Sequence, residues 1–249
     1  SLVPKGALGE VHKATNTILI LGFLGTWRYT WAAINFTRAI LYVKVIYPRR
    51  KAKAIARFNA RGAPCHAYFL VTTYMVERDT TIDCYRALFL AASNARDGAT
   101  IVASVVDGSD ERLIRSLYET SHHDLSRVKL VLDRIKSNGK RDAMARTLKL
   151  IANECPTARD ICVFVDGDTM VPADIVAQSA PMFTNPKVGA LTTDEGIIIH
   201  KKNLFRDWFI LRFNQRQVMM SSMGVSNRVL TLTGRMSVFR ADLATNPQF

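Results

Sequence analysis

The chain has 249 residues, room for one substantial α/β domain and a smaller attached element. An apolar fraction of 48% is ordinary for a globular protein and excludes a chain that is mostly membrane-spanning. The formal net charge of +13 asks for an anionic counterpart: nucleic acid, an anionic membrane surface or an anionic substrate.

The opening Ser1-Leu2-Val3-Pro4-Lys5 carries no initiator Met and no signal-peptide pattern. From Thr17 to Tyr47 the chain is apolar and aromatic. It holds the run Ile18–Leu21 with Phe23 and Leu24, then Ile40-Leu41-Tyr42-Val43, with Trp27, Tyr29, Trp31, Tyr42 and Tyr47 interspersed. Arg28 and Arg38 deny it a clean run of about 20 uncharged residues. Two membrane readings fit: a spanning helix whose arginines snorkel, or a helix lying in the interface. A buried helix of a soluble core is the bland alternative. Arg49-Arg50-Lys51-Ala52-Lys53, with Arg57 and Arg61, follows directly. A basic cluster beside an apolar segment marks the cytoplasmic side of a membrane; its alternative is a solvated charge run. Residues 1–60 are therefore expected to form a membrane-associated helix with a basic juxtamembrane segment, and 61–249 a cytoplasmic domain.

From His66 onward short apolar runs alternate with helical stretches. Ala67–Thr72, Ile101–Val106, Val128–Leu132 and Ile161–Val165 read as strands. Helices are expected near Thr81–Ala95, Glu111–Asp124 and Arg141–Cys155, the last burying Met144, Leu148, Ile151, Ala152 and Cys155 on one face. Leu204–Met220 reads as a further helix with two apolar strips, one holding Trp208 and Leu211, the other Phe205 and Phe209. The alternation predicts an α/β fold: a mostly parallel sheet with helices on both faces, binding ligands at the carboxyl ends of its strands. The four cysteines, Cys65, Cys84, Cys155 and Cys162, form no Cys-x-x-Cys pair, and each lies in an apolar stretch. They read as reduced, buried thiols rather than a zinc site or disulfide framework.

Two acidic motifs fall at strand ends: Asp107-Gly108-Ser109-Asp110 after Val106, and Asp166-Gly167-Asp168-Thr169 after Val165. In the second, carboxylates flank a glycine and can be aimed near one point. Hard oxygens at that spacing suit Mg2+ or Mn2+, with a diphosphate completing the shell. A plain turn is the alternative for Asp-Gly-Asp taken alone. Its context, an apolar strand before it, Pro172-Ala173-Asp174 as a helix start after it and a second strand-end carboxylate at Asp107, favours the metal. Between the motifs, Lys136-Ser137-Asn138-Gly139-Lys140-Arg141-Asp142 is a basic loop opening a helix. Lys140 and Arg141 are placed there to meet phosphate. No Walker A and no Gly-x-Gly-x-x-Gly occurs.

These motifs resemble the processive family 2 glycosyltransferases of GT-A (Rossmann-like) fold, the group containing cellulose, hyaluronan and mannuronan synthases. Val71–Glu77 resembles the family's opening nucleotide-binding segment, departing from its Pro and Asn. Val106-Asp107-Gly108-Ser109 matches Asp-Asp-Gly-Ser with Val at the first position, and Gly139-Lys140-Arg141 matches the Gly-Lys-basic loop. Gly189–Gly196, Ser221-Ser222-Met223 and Arg228–Arg240 resemble the mannuronan (alginate) synthase branch. The resemblance implies that Thr73, Glu77, Asp107, Lys140 and Arg141 bind the nucleotide and donor, and that Asp166 and Asp168 hold the metal. Thr233, Gly234, Arg235 and Asp194 are then guessed to border the acceptor. The implied donor is GDP-mannuronate and the product a β-1,4-linked polymannuronate made by an inverting displacement. Implied partners are the GDP-sugar, the polysaccharide acceptor, membrane lipid and a cyclic-di-GMP-binding subunit, and not nucleic acid. The implied location is the bacterial inner membrane with a cytoplasmic catalytic domain.

The family's acidic general-base motif and its Gln-x-x-Arg-Trp both follow the Gly234–Arg240 strand, and neither is found here. The chain therefore reads as a fragment that binds nucleotide and metal but lacks the base. Two rivals stand beside this reading. One is a non-processive transferase acting on a lipid carrier. The other is a non-catalytic basic module that binds membrane or nucleic acid.

Overall fold

A computed structural model describes the chain apart from residues 1–4, 63, 137–138, 200–201, 230 and 248–249; the side chains of 5–9, 11–12 and 14 are likewise not described. Ser137 and Asn138 of the basic loop and Leu230 of the Arg228–Arg240 string thus lie outside the described residues. The chain divides into two compact units: residues 1–48 with 195–230, and residues 49–194 with 231–249.

The larger unit is built on a six-stranded sheet of order β3-β2-β1-β4-β6-β5. Its strands are β1 (Ala67–Thr73), β2 (Ala99–Val105), β3 (Val128–Arg134), β4 (Ile161–Asp166), β5 (Ala190–Thr192) and β6 (Met236–Arg240). The first four pair in parallel, while β6 runs antiparallel to both β4 and β5. The α/β class and the mostly parallel sheet are as expected, and each anticipated strand is present. β1 and β2 are buried at almost every position because both faces of a parallel sheet are covered. Side chains alternate faces along each strand. Phe69 and Val71 of β1, Ile101 of β2 and Val163 of β4 enter one core with Tyr85, Leu88 and Phe89 of α3 (Arg78–Ser93) and Ile114 of α4 (Gly108–Glu119). Tyr68, Leu70, Val102 and Cys162 enter the other with Ile151 of α5 (Lys140–Asn153). α2 (Tyr47–Arg61) lays Phe58 against the first core.

Three expectations need correction. Helices α3, α4 and α5 begin one to three residues earlier than anticipated and end before Ala95, Asp124 and Cys155. Cys155 is exposed, whereas Cys65, Cys84 and Cys162 are buried. Cys155 follows the end of α5 with a left-handed φ of 53°, and this turns it off the helix face it was assigned to. The helix expected from Pro172 starts at Ile175 and runs only to Ser179 (α6).

The smaller unit holds α1 (Lys5–Leu41), a π-helical turn at Tyr42–Ile46 and α7 (Leu204–Gly224). Its two long helices are joined by a polar seam. Ser222 Oγ donates to Asn35 Oδ1 at 2.8 Å, and Arg38 donates to Ser222 Oγ at 3.2 Å and to Ser226 Oγ at 2.7 Å. Gly224 packs against the Tyr42 ring so closely that a Cβ would come within 2.6 Å of it. Beyond that seam the apolar side chains face outward. Phe23, Trp27, Leu204 and Phe205 are each more than half exposed. Among the described residues, no helix is long and apolar enough to cross a membrane. Arg28 and Arg38 interrupt the apolar run of α1.

Candidate active site at the strand switch point

The chain leaves β1 towards β2 and β3, then crosses back to lay β4 on β1's other side. That reversal opens a crevice above the carboxyl ends of β1 and β4, the place where open α/β sheets take ligands. A cavity of about 270 Å³ occupies it. Thr72 and Thr73 line it from β1, Asp166, Gly167 and Asp168 from the end of β4, and Gly139 and Lys140 from the start of α5.

The Asp-Gly-Asp segment is a turn fixed from three sides. Thr169 N donates to Asp166 O at 2.9 Å, closing it; Gly167 N donates to Thr72 O at 2.9 Å; and Asp166 N donates to Arg235 O at 2.9 Å. Gly167 sits hard on the end of β1. A Cβ there would lie 2.9 Å from the Thr72 carbonyl oxygen and 2.9 Å from Thr73 Cα. Thr73 is buried in turn, its hydroxyl 2.9 Å from that of the fully buried Tyr85. Burial pushes the Tyr85 phenol well above its usual range, so it is a neutral hydrogen-bonding group.

Asp166 pairs with the Lys140 ammonium, which also donates to the Gly234 carbonyl at 3.2 Å. Asp168 is exposed, and its Oδ1 accepts from Thr169 Oγ1 at 3.4 Å. The Asp166 carboxylate and the Gly234 carbonyl converge here on a positive charge, with the Asp168 carboxylate lining the same cavity, and such oxygens suit Mg2+ or Mn2+. Among the described residues, no three His, Cys, Asp or Glu side chains cluster tightly enough to hold an ion by themselves. A cation at Asp166 and Asp168 would thus draw its remaining ligands from water and bound phosphate. Gly139, with φ of 104°, precedes α5 in a conformation that side chains rarely adopt. It lets the loop turn sharply, so that the helix N-terminus, a favourable end for anions, opens beside Lys140.

Of the residues expected to bind donor, Thr73, Lys140, Asp166 and Asp168 line this cavity together. Glu77, Asp107 and Arg141 do not line it, although each follows directly on a residue that does, Val76, Val106 and Lys140. Asp107 is the N-cap of α4 yet makes no capping hydrogen bond through its side chain, so its carboxylate is left to solvent. Asp110, half-buried behind it, is raised above its ordinary value by burial and then by the charge of Asp107. Of the acceptor guesses, Gly234 and Arg235 reach the site through backbone carbonyls. Thr233 is buried and bonds Met236 O and Ser237 of its own segment. Asp194 is exposed just past β5. Tyr74, Ser104, Ile135 and Lys136 also line the cavity and were not anticipated. Tyr74 and Lys136 were within reach of sequence reasoning, Tyr74 lying in the Val71–Glu77 segment and Lys136 in the basic loop; Ser104 and Ile135 depend on which strands lie adjacent.

A sequence profile described as glycosyltransferase-like family 2 matches residues 64–249. The chain is 35% identical over 238 residues to the glycosyltransferase alg8 of Pseudomonas syringae pv. tomato, covering 95% of this chain and 48% of that protein. It is 36% identical over 235 residues to the glycosyltransferase alg8 of Azotobacter vinelandii, covering 93% of this chain and 47% of that protein. The chain thus spans about half the length of the curated relatives it matches. Among solved structures it resembles a mannosyltransferase, PcManGT from Pyrobaculum calidifontis in complex with GDP-Man and Mn2+, at 19% identity and a TM-score of 0.49, over 83% of this chain and 56% of that one.

Proposed function

Because this chain belongs to the glycosyltransferase-like family 2, we propose that its switch-point cavity binds a nucleotide-sugar donor for glycosyl transfer. The observation that carries this is the convergence of Asp166, Asp168, Lys140 and the N-terminus of α5 on one crevice. A diphosphate seated there would meet cationic and N–H groups on the α5 side. A divalent cation held by Asp166 and Asp168 would take up charge on the leaving diphosphate. Thr73, fixed through Tyr85, and the exposed Asp107 are read as bordering the nucleoside, with Lys140 and Arg141 beside the phosphates. The acceptor hydroxyl, giving its proton to a general base that is none of the residues named above, attacks the anomeric carbon opposite the diphosphate; the bond to the nucleoside diphosphate breaks and the centre inverts. The resemblance to the mannuronan synthase branch supports GDP-mannuronate as donor and a β-1,4-linked polymannuronate as product.

The same reading puts the chain at the cytoplasmic face of a bacterial inner membrane. The outward apolar side chains of α1 and α7 support an interfacial position. On α2, Arg49, Lys53, Arg57 and Arg61 recur every fourth residue and are all exposed, opposite the core-facing Ala54 and Phe58. Like charges at that spacing repel, and an anionic surface relieves the repulsion.

Calorimetry of guanosine diphosphate binding with Mn2+ tests the site. Asp168→Ala is expected to abolish metal-dependent binding; unchanged binding would overturn the assignment.

A further inference from the structure

Lys140 Nζ is held by two oxygens, a carboxylate oxygen of Asp166 and the Gly234 carbonyl at 3.2 Å. Both are ligands of the hard kind that a divalent cation takes. They come from the end of β4 and the segment before β6, while the lysine opens α5, so three separate parts of the larger unit converge on one ammonium. On the metal-site reading above, on which this inference rests, Asp166 is claimed twice: by the tethered ammonium and by the incoming ion. One carboxylate oxygen cannot serve both closely, because the two positive charges would repel at that range. The lysine side chain is half exposed, and its flexible four-carbon stem lets the charge move.

We propose that Lys140 is a built-in competitor for the cation. With no nucleotide present its ammonium occupies the Asp166–Gly234 cradle and keeps divalent ions out. A diphosphate arriving above the N-terminus of α5 gives the ammonium a second anionic partner, and its departure frees Asp166. Metal and nucleotide then bind as a coupled pair, each raising the other's affinity by the same factor, as linkage requires. In the cradle the ammonium also balances the charge of the Asp166 carboxylate.

The test measures Mn2+ affinity by electron paramagnetic resonance, with and without saturating guanosine diphosphate. In the wild-type chain Mn2+ alone binds weakly, and nucleotide tightens it. Lys140→Met keeps the stem and removes the ammonium; it is expected to tighten Mn2+ alone by about 1.5- to 5-fold, the range of a partly exposed ion pair, and to shrink the tightening by nucleotide. Lys136→Met removes a charge lining the same cavity for which neither cradle oxygen is a partner. It is expected to change Mn2+ affinity far less. Unchanged or weaker Mn2+ binding in Lys140→Met overturns the proposal, and so does an equal tightening in Lys136→Met, which would show only a general field effect. Asp168→Ala separates the two levels. If it abolishes Mn2+-dependent nucleotide binding while Lys140→Met fails to tighten Mn2+, the competitor idea alone falls. If Asp168→Ala changes nothing, the metal-site reading falls with it.

Discussion

Gly167 is small because backbone lies where a side chain would go. Its would-be Cβ meets the Thr72 carbonyl and Thr73 Cα, neither of which can swing aside as a side-chain tip could. Gly167→Ala is therefore expected to push the Asp-Gly-Asp turn off β1. The cost is about 1–3 kcal/mol of stability, read by denaturant melts, with nucleotide binding falling at least as steeply as stability. The thiols give a second check at this scale. Burial pushes Cys65 up to about 12 and Cys84 up to about 11, and Cys162 is fully buried, while Cys155 is exposed. Iodoacetamide at neutral pH is expected to label Cys155 fast and the other three only on unfolding, checked by mass mapping. That the two aspartates reach one crevice was legible in the sequence, because their type and spacing at a strand end mark them. The Gly234 carbonyl beside Lys140 was not, since every residue has one and only the fold decides which faces the crevice. The exposure of Cys155 was readable from its immediate neighbours Asn153, Glu154, Pro156 and Thr157, but helical spacing from Ile151 and Ala152 suggested burial and could not show the left-handed turn at the helix end.

That turn also decides how α5 stops. Cys155 takes the left-handed φ just past the helix, where glycine is the favoured residue. Cys155→Gly is expected to raise stability by roughly 0.5–1 kcal/mol, seen as a higher denaturation midpoint. At the start of α4, Asp110 is raised by burial and by Asp107, so the folded chain holds its proton more tightly than the unfolded chain does. Stability is then lost as pH rises from the unfolded carboxylate value through the raised one, and the penalty persists at neutral pH. Asp110→Asn is expected to raise Tm at pH 7 and to leave it unchanged near pH 3, below both values. Strands β1 to β4 and the helices between them were readable because buried parallel strands appear as apolar runs and helices as periodic ones. The pairing of β6 with β4 was not, because strand order leaves no periodic trace.

For the whole molecule, a charge of +13 and the outward apolar helices give one joint expectation. The chain should sediment with anionic vesicles and be released as salt rises. Arg49→Glu with Lys53→Glu should weaken that binding strongly, at about 1 kcal/mol per basic charge lost at the surface. Binding equally tight to neutral vesicles would count against the role given to α2. The composition made an anionic partner legible and the Arg49–Lys53 cluster beside the apolar segment pointed to a membrane; the fold added that the basic stripe of α2 lies on its exposed face. The late strand has a consequence of its own, in the order of synthesis. β4 is made long before β6, its partner on the side away from β1, and among the described residues β5 pairs only with β6. Until Arg240 has left the ribosome, β4 presents an open hydrogen-bonding edge that any other nascent chain could extend. The sheet closes last at the strand whose preceding loop supplies the Gly234 and Arg235 carbonyls. Chaperone dependence in this protein should therefore concentrate in the window between the emergence of β4 and that of β6.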